Sequence, residues 1–297
     1  TLRFLTGFSL AGVYPPGMKL MATWFRRGRG LALGVLVGAL TLGKASPYLV
    51  NWIGSEWRTT VLAASLFAVI GGLLVMWLIR EGPLSLGTAP FDPGQIVAIV
   101  RNRGVRLANF GYFGHMWELY AMWTWLPLML SASFELSGSS PSLAQIGSFL
   151  VIGSGAVGCV VAGAVADRIG RTLVTSVAMI ISGSCCVLIG FLYGGSPVLL
   201  LSLATLWGAT IVADSAQFSA CVTELGDPRY IGTALTFQTC VGFLLTTVSI
   251  SLIPWLVDRV GWEWAFIFLM PGPLLGTVSM LRLRALPEAE RIAGGHR

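Results

Sequence analysis

Apolar runs of roughly the 20 residues that cross a bilayer, separated by short polar loops, fill most of the chain. Nine such runs predict spanning helices at 2–23, 31–53, 59–79, 105–130, 143–165, 173–193, 197–222, 231–257 and 263–283. Small residues recur inside them, as at Gly147, Gly153, Gly155, Gly158 and Gly163. Glycine lets helix backbones approach closely in lipid, so the pattern predicts a packed bundle rather than separate anchors. The expected fold class is all-α, a polytopic transmembrane helix bundle.

Composition supports the pattern. Of 297 residues, 55% are hydrophobic and 11% charged, and the mean hydropathy is +0.79. A soluble domain carries about 25% charged residues. The net charge of +6 would raise nucleic acid as a partner in a soluble protein. Here the basic residues alternate by loop. Fourteen of them (Arg26, Arg27, Arg29, Arg80, Arg101, Arg103, Arg106, Arg168, Arg171, Arg229, Arg282, Arg284, Arg291 and Arg297) fall on one side of the nine spans. Only Arg58 and Arg259 fall on the other. The positive-inside rule makes the first side, and the C-terminus with it, cytoplasmic in a cell membrane. The charge is then accounted for without nucleic acid.

The least apolar connection is 80–104, with Gly82, Pro83, Gly87, Pro90, Pro93 and Gly94. It reads as a cytoplasmic linker between two bundles. Three spans precede it (1–79), six follow (105–284), and 285–297 form a cytoplasmic tail. A repeat explains the imbalance. Gly30 and Ala32 at the start of one span align with Gly232 and Ala234 at the start of another, and Gly54-Ser55-Glu56-Trp57-Arg58 parallels Gly261-Trp262-Glu263-Trp264-Ala265. Three more spans are therefore expected ahead of Thr1, about nine helices of twelve being present.

The stretch from Gly163 to Arg171 reads G-A-V-A-D-R-I-G-R and resembles the G-x-L-x-D-R-x-G-R loop of the major facilitator superfamily, with Val165 in place of leucine. Arg3-Phe4-Leu5-Thr6-Gly7 resembles that family's R-x-x-x-G motif. The resemblance covers essentially the whole chain. It implies a secondary transporter of general-substrate-transporter type working by alternating access. It also implies that Asp167, with Gly163, Arg168, Gly170 and Arg171, forms a conformational latch toward the start of the span at Gly30. An aspartate is stabilised near a helix N-terminus, and Arg168 and Arg171 can pair with Glu224 or with lipid phosphate. A solvated loop with a tight turn at Gly170 is the plainer alternative.

Charge at membrane depth is costly and marks function by default. His115 and Glu118, spaced i, i+3, share a helix face among Tyr112, Trp117, Tyr120, Trp123 and Trp125. A carboxylate beside an imidazole can carry a proton; a hydrogen bond within the bundle explains the pair equally. Asp214 and Gln217 have the same spacing, and Asp214 can pair with Lys44 or an arginine instead of serving the solute. Arg3 and Lys44 can attract an anion or hold helices together. Lys19 can snorkel to the interface. The Tyr14-Pro15-Pro16-Gly17 sequence is expected to break the first span.

Five cysteines lie in apolar runs without metal spacing, and two histidines cannot build a histidine-rich site, so neither metal nor cofactor is expected. No nucleotide-binding loop or hydrolase motif is present in the sequence, so the chain is read as no enzyme. The expected partners are a small-molecule substrate (an organic anion or, alternatively, a hydrophobic compound), the lipid bilayer and protons, with the protein a monomer. If Glu118 carries the coupling proton, Glu118→Gln should abolish proton-driven accumulation; full accumulation by that variant would exclude the role.

Overall fold

The structure is a computed structural model and describes residues 2–25, 27–52, 56–84 and 94–297. The side chains of Leu2 and Arg3 lie outside the described residues, as do Arg26, Gly54, Ser55 and the centre of the expected linker. The described residues form thirteen α-helices and no strand. In order they are α1 (Leu2–Ala11), α2 (Tyr14–Trp24), α3 (Arg29–Trp52), α4 (Trp57–Leu78), α5 (Gly94–Arg101), α6 (Arg103–Leu136) and α7 (Pro141–Ile169). They continue with α8 (Arg171–Leu188), α9 (Pro197–Ile211), α10 (Ser215–Leu225), α11 (Ile231–Val260), α12 (Trp262–Ala265) and α13 (Pro271–Arg284).

Each of the nine apolar runs is helical, and three of them are broken. Seven helical stretches among the described residues are long and apolar enough to cross a membrane. The first run falls outside that set because it is two shorter helices. Gly12 and Val13 donate only to Ser9 and Leu10, three residues back. Pro15 and Pro16 then occupy the first turn of α2, where no backbone donor is needed. In α6, polar and aromatic residues dilute the apolar run. The seventh run breaks between α9 and α10, where Ser215 N donates to Val212 O. The last run breaks at a 3-10 turn, Phe266–Leu269, before Pro271 starts α13.

Residues 80–104 are less of a linker than their prolines suggest. Gly94–Arg101 is helix α5, with Ile99 buried. The reason is the unbroken Ile96-Val97-Ala98-Ile99-Val100 run, which can cover apolar surface only as a helix against the bundle. At the other end of the linker, Gly82 N donates to Thr23 Oγ1 and Trp24 Nε1 to Arg80 O, folding residues 80–84 onto α2.

The core runs through α6 to α13 and onto α2 and α3. The closest long pairing joins α3 to α7 along most of their length. Glycine makes it possible. A Cβ at Gly34 would meet Cys159 O, and one at Gly38 would lie 3.1 Å from Ala156 O. The α7–α9 crossing is as tight: a Cβ on Gly158 would meet Ala209 O, and one on Gly208 would meet Val151 O. By contrast, no residue of α4 is buried. Of the five cysteines, four are buried; Cys240 is exposed, because its side of α11 faces away from the core.

These crossings predict a contrast. Gly208→Ala should destabilise the protein by about 1–3 kcal/mol, the usual cost of overpacking. Gly71→Ala on α4, where a Cβ would meet nothing within 4 Å, should leave the melting temperature in detergent unchanged or slightly raised. Equal melting temperatures for both variants would contradict this packing.

Candidate functional site: an inter-helix latch and a buried acid–imidazole cluster

Asp167 occupies the last turn of α7, where the helix dipole disfavours a carboxylate. The first amides of α3 lie opposite, and they lack intrahelical acceptors as all helix starts do. Gly30 N donates to Asp167 Oδ1 and Leu31 N to Oδ2, each at 3.0 Å. The carboxylate thus serves as a remote N-cap. Gly163, one turn earlier, permits the approach: its Cβ would lie 2.5 Å from Gly30 O.

Arg171, 1% exposed, organises the surrounding charges. Its guanidinium forks onto Glu224, with Nε to Oε2 at 3.0 Å and Nη2 to Oε1 at 2.8 Å. Nη2 also lies 3.1 Å from Asp167 Oδ1, and Nη1 donates to Gln217 Oε1 at 2.7 Å. Gln217 Nε2 reaches Gly30 O at 3.4 Å. Arg29 Nη1, on the α3 side, donates to Thr223 Oγ1 at 3.1 Å. Gly170 has φ +104°, a backbone state open to glycine, and starts the turn into α8. Arg168 is exposed and makes no ion pair among the described residues, so of the two loop arginines Arg171 alone takes Glu224.

The second cluster lies deeper in the bundle. His115 Nδ1 is 2.8 Å from Asp214 Oδ1, with both side chains almost wholly buried. The imidazole packs against the rings of Tyr112 and Phe218, and its buried Nε2 has no hydrogen-bond partner among the described residues. Glu118 accepts from Trp207 Nε1 at 2.7 Å, Ser182 Oγ at 3.0 Å and Cys186 Sγ at 3.0 Å. At the α9–α10 break the Val212 carbonyl accepts from both Ser215 N and Cys159 Sγ.

These positions revise two expected pairings. The carboxylate beside His115 is Asp214, not Glu118. Residues at i and i+3 are some 60° apart on a helix; His115 turns to α10, while Glu118 turns to α8 and α9. Asp214 and Gln217 part as well: Asp214 is the N-cap of α10 and Gln217 lies in its first turn, yet each meets a different neighbour. Asp214 therefore takes His115 rather than Lys44 or an arginine, and Gln217 joins the Arg171 network. Lys44 on α3 is exposed and has no ion pair among the described residues. Arg3 lies on α1 with its side chain outside the described residues. No group of three metal-ligating side chains occurs among the described residues. Trp207, Ser182 and Cys186 carried no signal in the sequence, since single polar atoms inside apolar helices look like ordinary core.

The family model for the Major Facilitator Superfamily matches residues 1–250 and again 108–297. The chain belongs to this superfamily. The superfamily is one of membrane transporters. Relatives include a gallate transporter of Pseudomonas putida, 26% identical and matched over 68% of this chain and 53% of its own length. An agnestins efflux protein of Paecilomyces divaricatus is 26% identical over 96% of this chain and 64% of its own. The chain thus spans between half and two thirds of the length of these relatives. Among solved structures, the fucose:proton symporter of E. coli shares the fold, with TM-score 0.60 and 15% identity over 76% of this chain and 55% of that one.

Within this superfamily member the charged network makes a stability prediction. Arg171→Ala should cost about 3–5 kcal/mol, since it leaves the partly buried Glu224 and Asp167 without their counter-charge and Gln217 Oε1 without its donor. Asp167→Asn, which keeps shape and loses charge, should cost about 1–3 kcal/mol. Denaturation of the two purified variants in detergent would rank them; the reverse order would contradict the arrangement.

Proposed function

We propose that the protein is a proton-coupled secondary transporter of a small organic anion. The observation that carries the coupling is the buried His115–Asp214 pair at the break between α9 and α10. With Glu118 nearby, the set contains two acids and one base. Taking up a proton changes its net charge by one in surroundings where charge is expensive. Such a change can be tied to which side of the membrane the site faces. The superfamily's alternating access supplies the motion: residues 1–79 belong to one bundle and 105–284 to the other, joined by 80–104, with 285–297 as the tail. Asp167 at the start of α3, with Gly163, Arg168, Gly170 and Arg171 around it, is the latch that holds one end shut.

The anion reading rests on Lys44, which has no ion pair among the described residues, on Arg3 as a cation of the sequence, and on the gallate-transporter relative, gallate being a phenolic carboxylate. Gln217 we assign to the latch rather than to the solute. The arginine-rich end is taken as cytoplasmic in the cell membrane, and the protein as a monomer. A second reading, export of a larger hydrophobic compound, is favoured by the relative named for agnestins efflux, which aligns over nearly all of this chain.

Proteoliposomes with an imposed pH gradient separate these readings. Gallate and related aromatic carboxylates should accumulate against their gradient when protons flow in with them. His115→Gln and Asp214→Asn should lose gradient-driven accumulation while retaining counterflow. Undiminished accumulation in both variants would overturn the coupling assignment, and uptake of apolar compounds alone, driven by the opposite gradient, would favour export.

Loss of the latch should appear separately. Asp167→Asn protein that reaches the membrane in normal amount should transport about tenfold more slowly, the scale of one charge-assisted hydrogen bond. An unchanged rate would remove Asp167 from the cycle.

A further inference from the structure

After α13 the chain does not run off into solvent. Pro287–Gly295 folds as a 3-10 segment with a kink near its end. Ala289 and Ile292 are both 0% exposed, so the segment is seated on the bundle by its apolar side chains. At the kink Ala293 has φ +49°, a left-handed state that is strained for a non-glycine residue. That conformation aims its backbone amide at the bundle. Ala293 N donates to Glu224 Oε2 at 3.0 Å.

Glu224 is the residue that Arg171 grips with its guanidinium fork. Both Glu224 oxygens are therefore committed, one to Nη2 and the other to Nε and the Ala293 amide. Arg171 stands between two carboxylates: Glu224 on its own side, and Asp167, which reaches across to α3. If Glu224 is held, the fork stays with Glu224, and Asp167 keeps both oxygens turned to the Gly30 and Leu31 amides. If Glu224 is released, the guanidinium can swing fully onto Asp167 and compete with those amides.

We propose that the segment Ala289–Ala293 is a brace for the contact between α7 and α3, acting through Glu224 and Arg171 as positioning residues. Seated, it keeps the arginine-rich end closed; lifted, it lets that end open. The inference rests on the reading that the Asp167 contact is the latch, and the test distinguishes the two.

Spin labels at Arg27→Cys and Arg168→Cys, both exposed and on opposite sides of the contact, report the opening by pulsed electron resonance in a background with Cys240→Ser. Ala293→Pro removes the amide donor and cannot adopt the positive φ. It should raise the ratio of open to closed distances about tenfold, as loss of a hydrogen bond to a charged group predicts. Glu224→Gln should shift it the same way without touching the segment, which covers the case in which the proline variant misfolds. Ala293→Gly, which keeps the amide and relieves the strained φ, should give the parent distribution, as should Arg291→Ala on the exposed side of the segment. If Asp167→Asn opens the end but Ala293→Pro and Glu224→Gln do not, the brace is overturned and the latch stands. If none of the three opens it, both are overturned.

Discussion

A carboxylate at the wrong end of its own helix is the constraint from which the rest follows. Asp167 sits at the negative end of α7, and α3 begins with two amides that have no acceptor in their own helix. Neither group is satisfied locally, and each satisfies the other across the space between them. The long α3–α7 pairing, with glycines at Gly34, Gly38 and Gly163 where backbones touch, brings the two ends into register. Arg171 then neutralises the excess negative charge, Glu224 orients Arg171, and Gln217 ties the group back to the carbonyl of Gly30. A contact built of several modest, directional bonds between otherwise separate helices is suited to forming and breaking as a unit.

The deeper cluster shows the other use of polar groups in an apolar bundle. His115 and Asp214 meet where α9 gives way to α10, and at that break Cys159 adds a second donor to the Val212 carbonyl. Glu118 is fully engaged by three donors inside the α6, α8 and α9 packing. Its geometry ties it to Ser182 and Cys186 of α8 and Trp207 of α9. The imidazole differs: its Nε2 is buried and has no hydrogen-bond partner among the described residues.

Much of the fold was legible because a membrane imposes a simple rule: about 20 apolar residues per crossing and arginines gathered on one side. The nine runs are all helical for that reason. The Asp167 cap was legible through its motif, since Asp-Arg-x-Gly-Arg at a helix end specifies both an acid and the turn at Gly170. The pairings inside the bundle were not. Spacing places His115 and Glu118 on one broad face, but which neighbour each meets depends on helix rotation and on where α9 breaks, and apolar runs carry no record of either. Helix α5 was hidden by the glycines and prolines around it, and the seat of Pro287–Gly295 by a composition that reads as an ordinary polar tail.

The central claim is that the Asp167 carboxylate caps α3 in one state of the transport cycle and releases it in the other. Hydrogen exchange at the Gly30 and Leu31 amides, followed by mass spectrometry in lipid nanodiscs, tests it most directly. The account predicts that these two amides exchange more slowly than the uncapped first amides of α4, and that a transported substrate speeds them. Exchange as fast as at the start of α4, or exchange that substrate does not change, would contradict it.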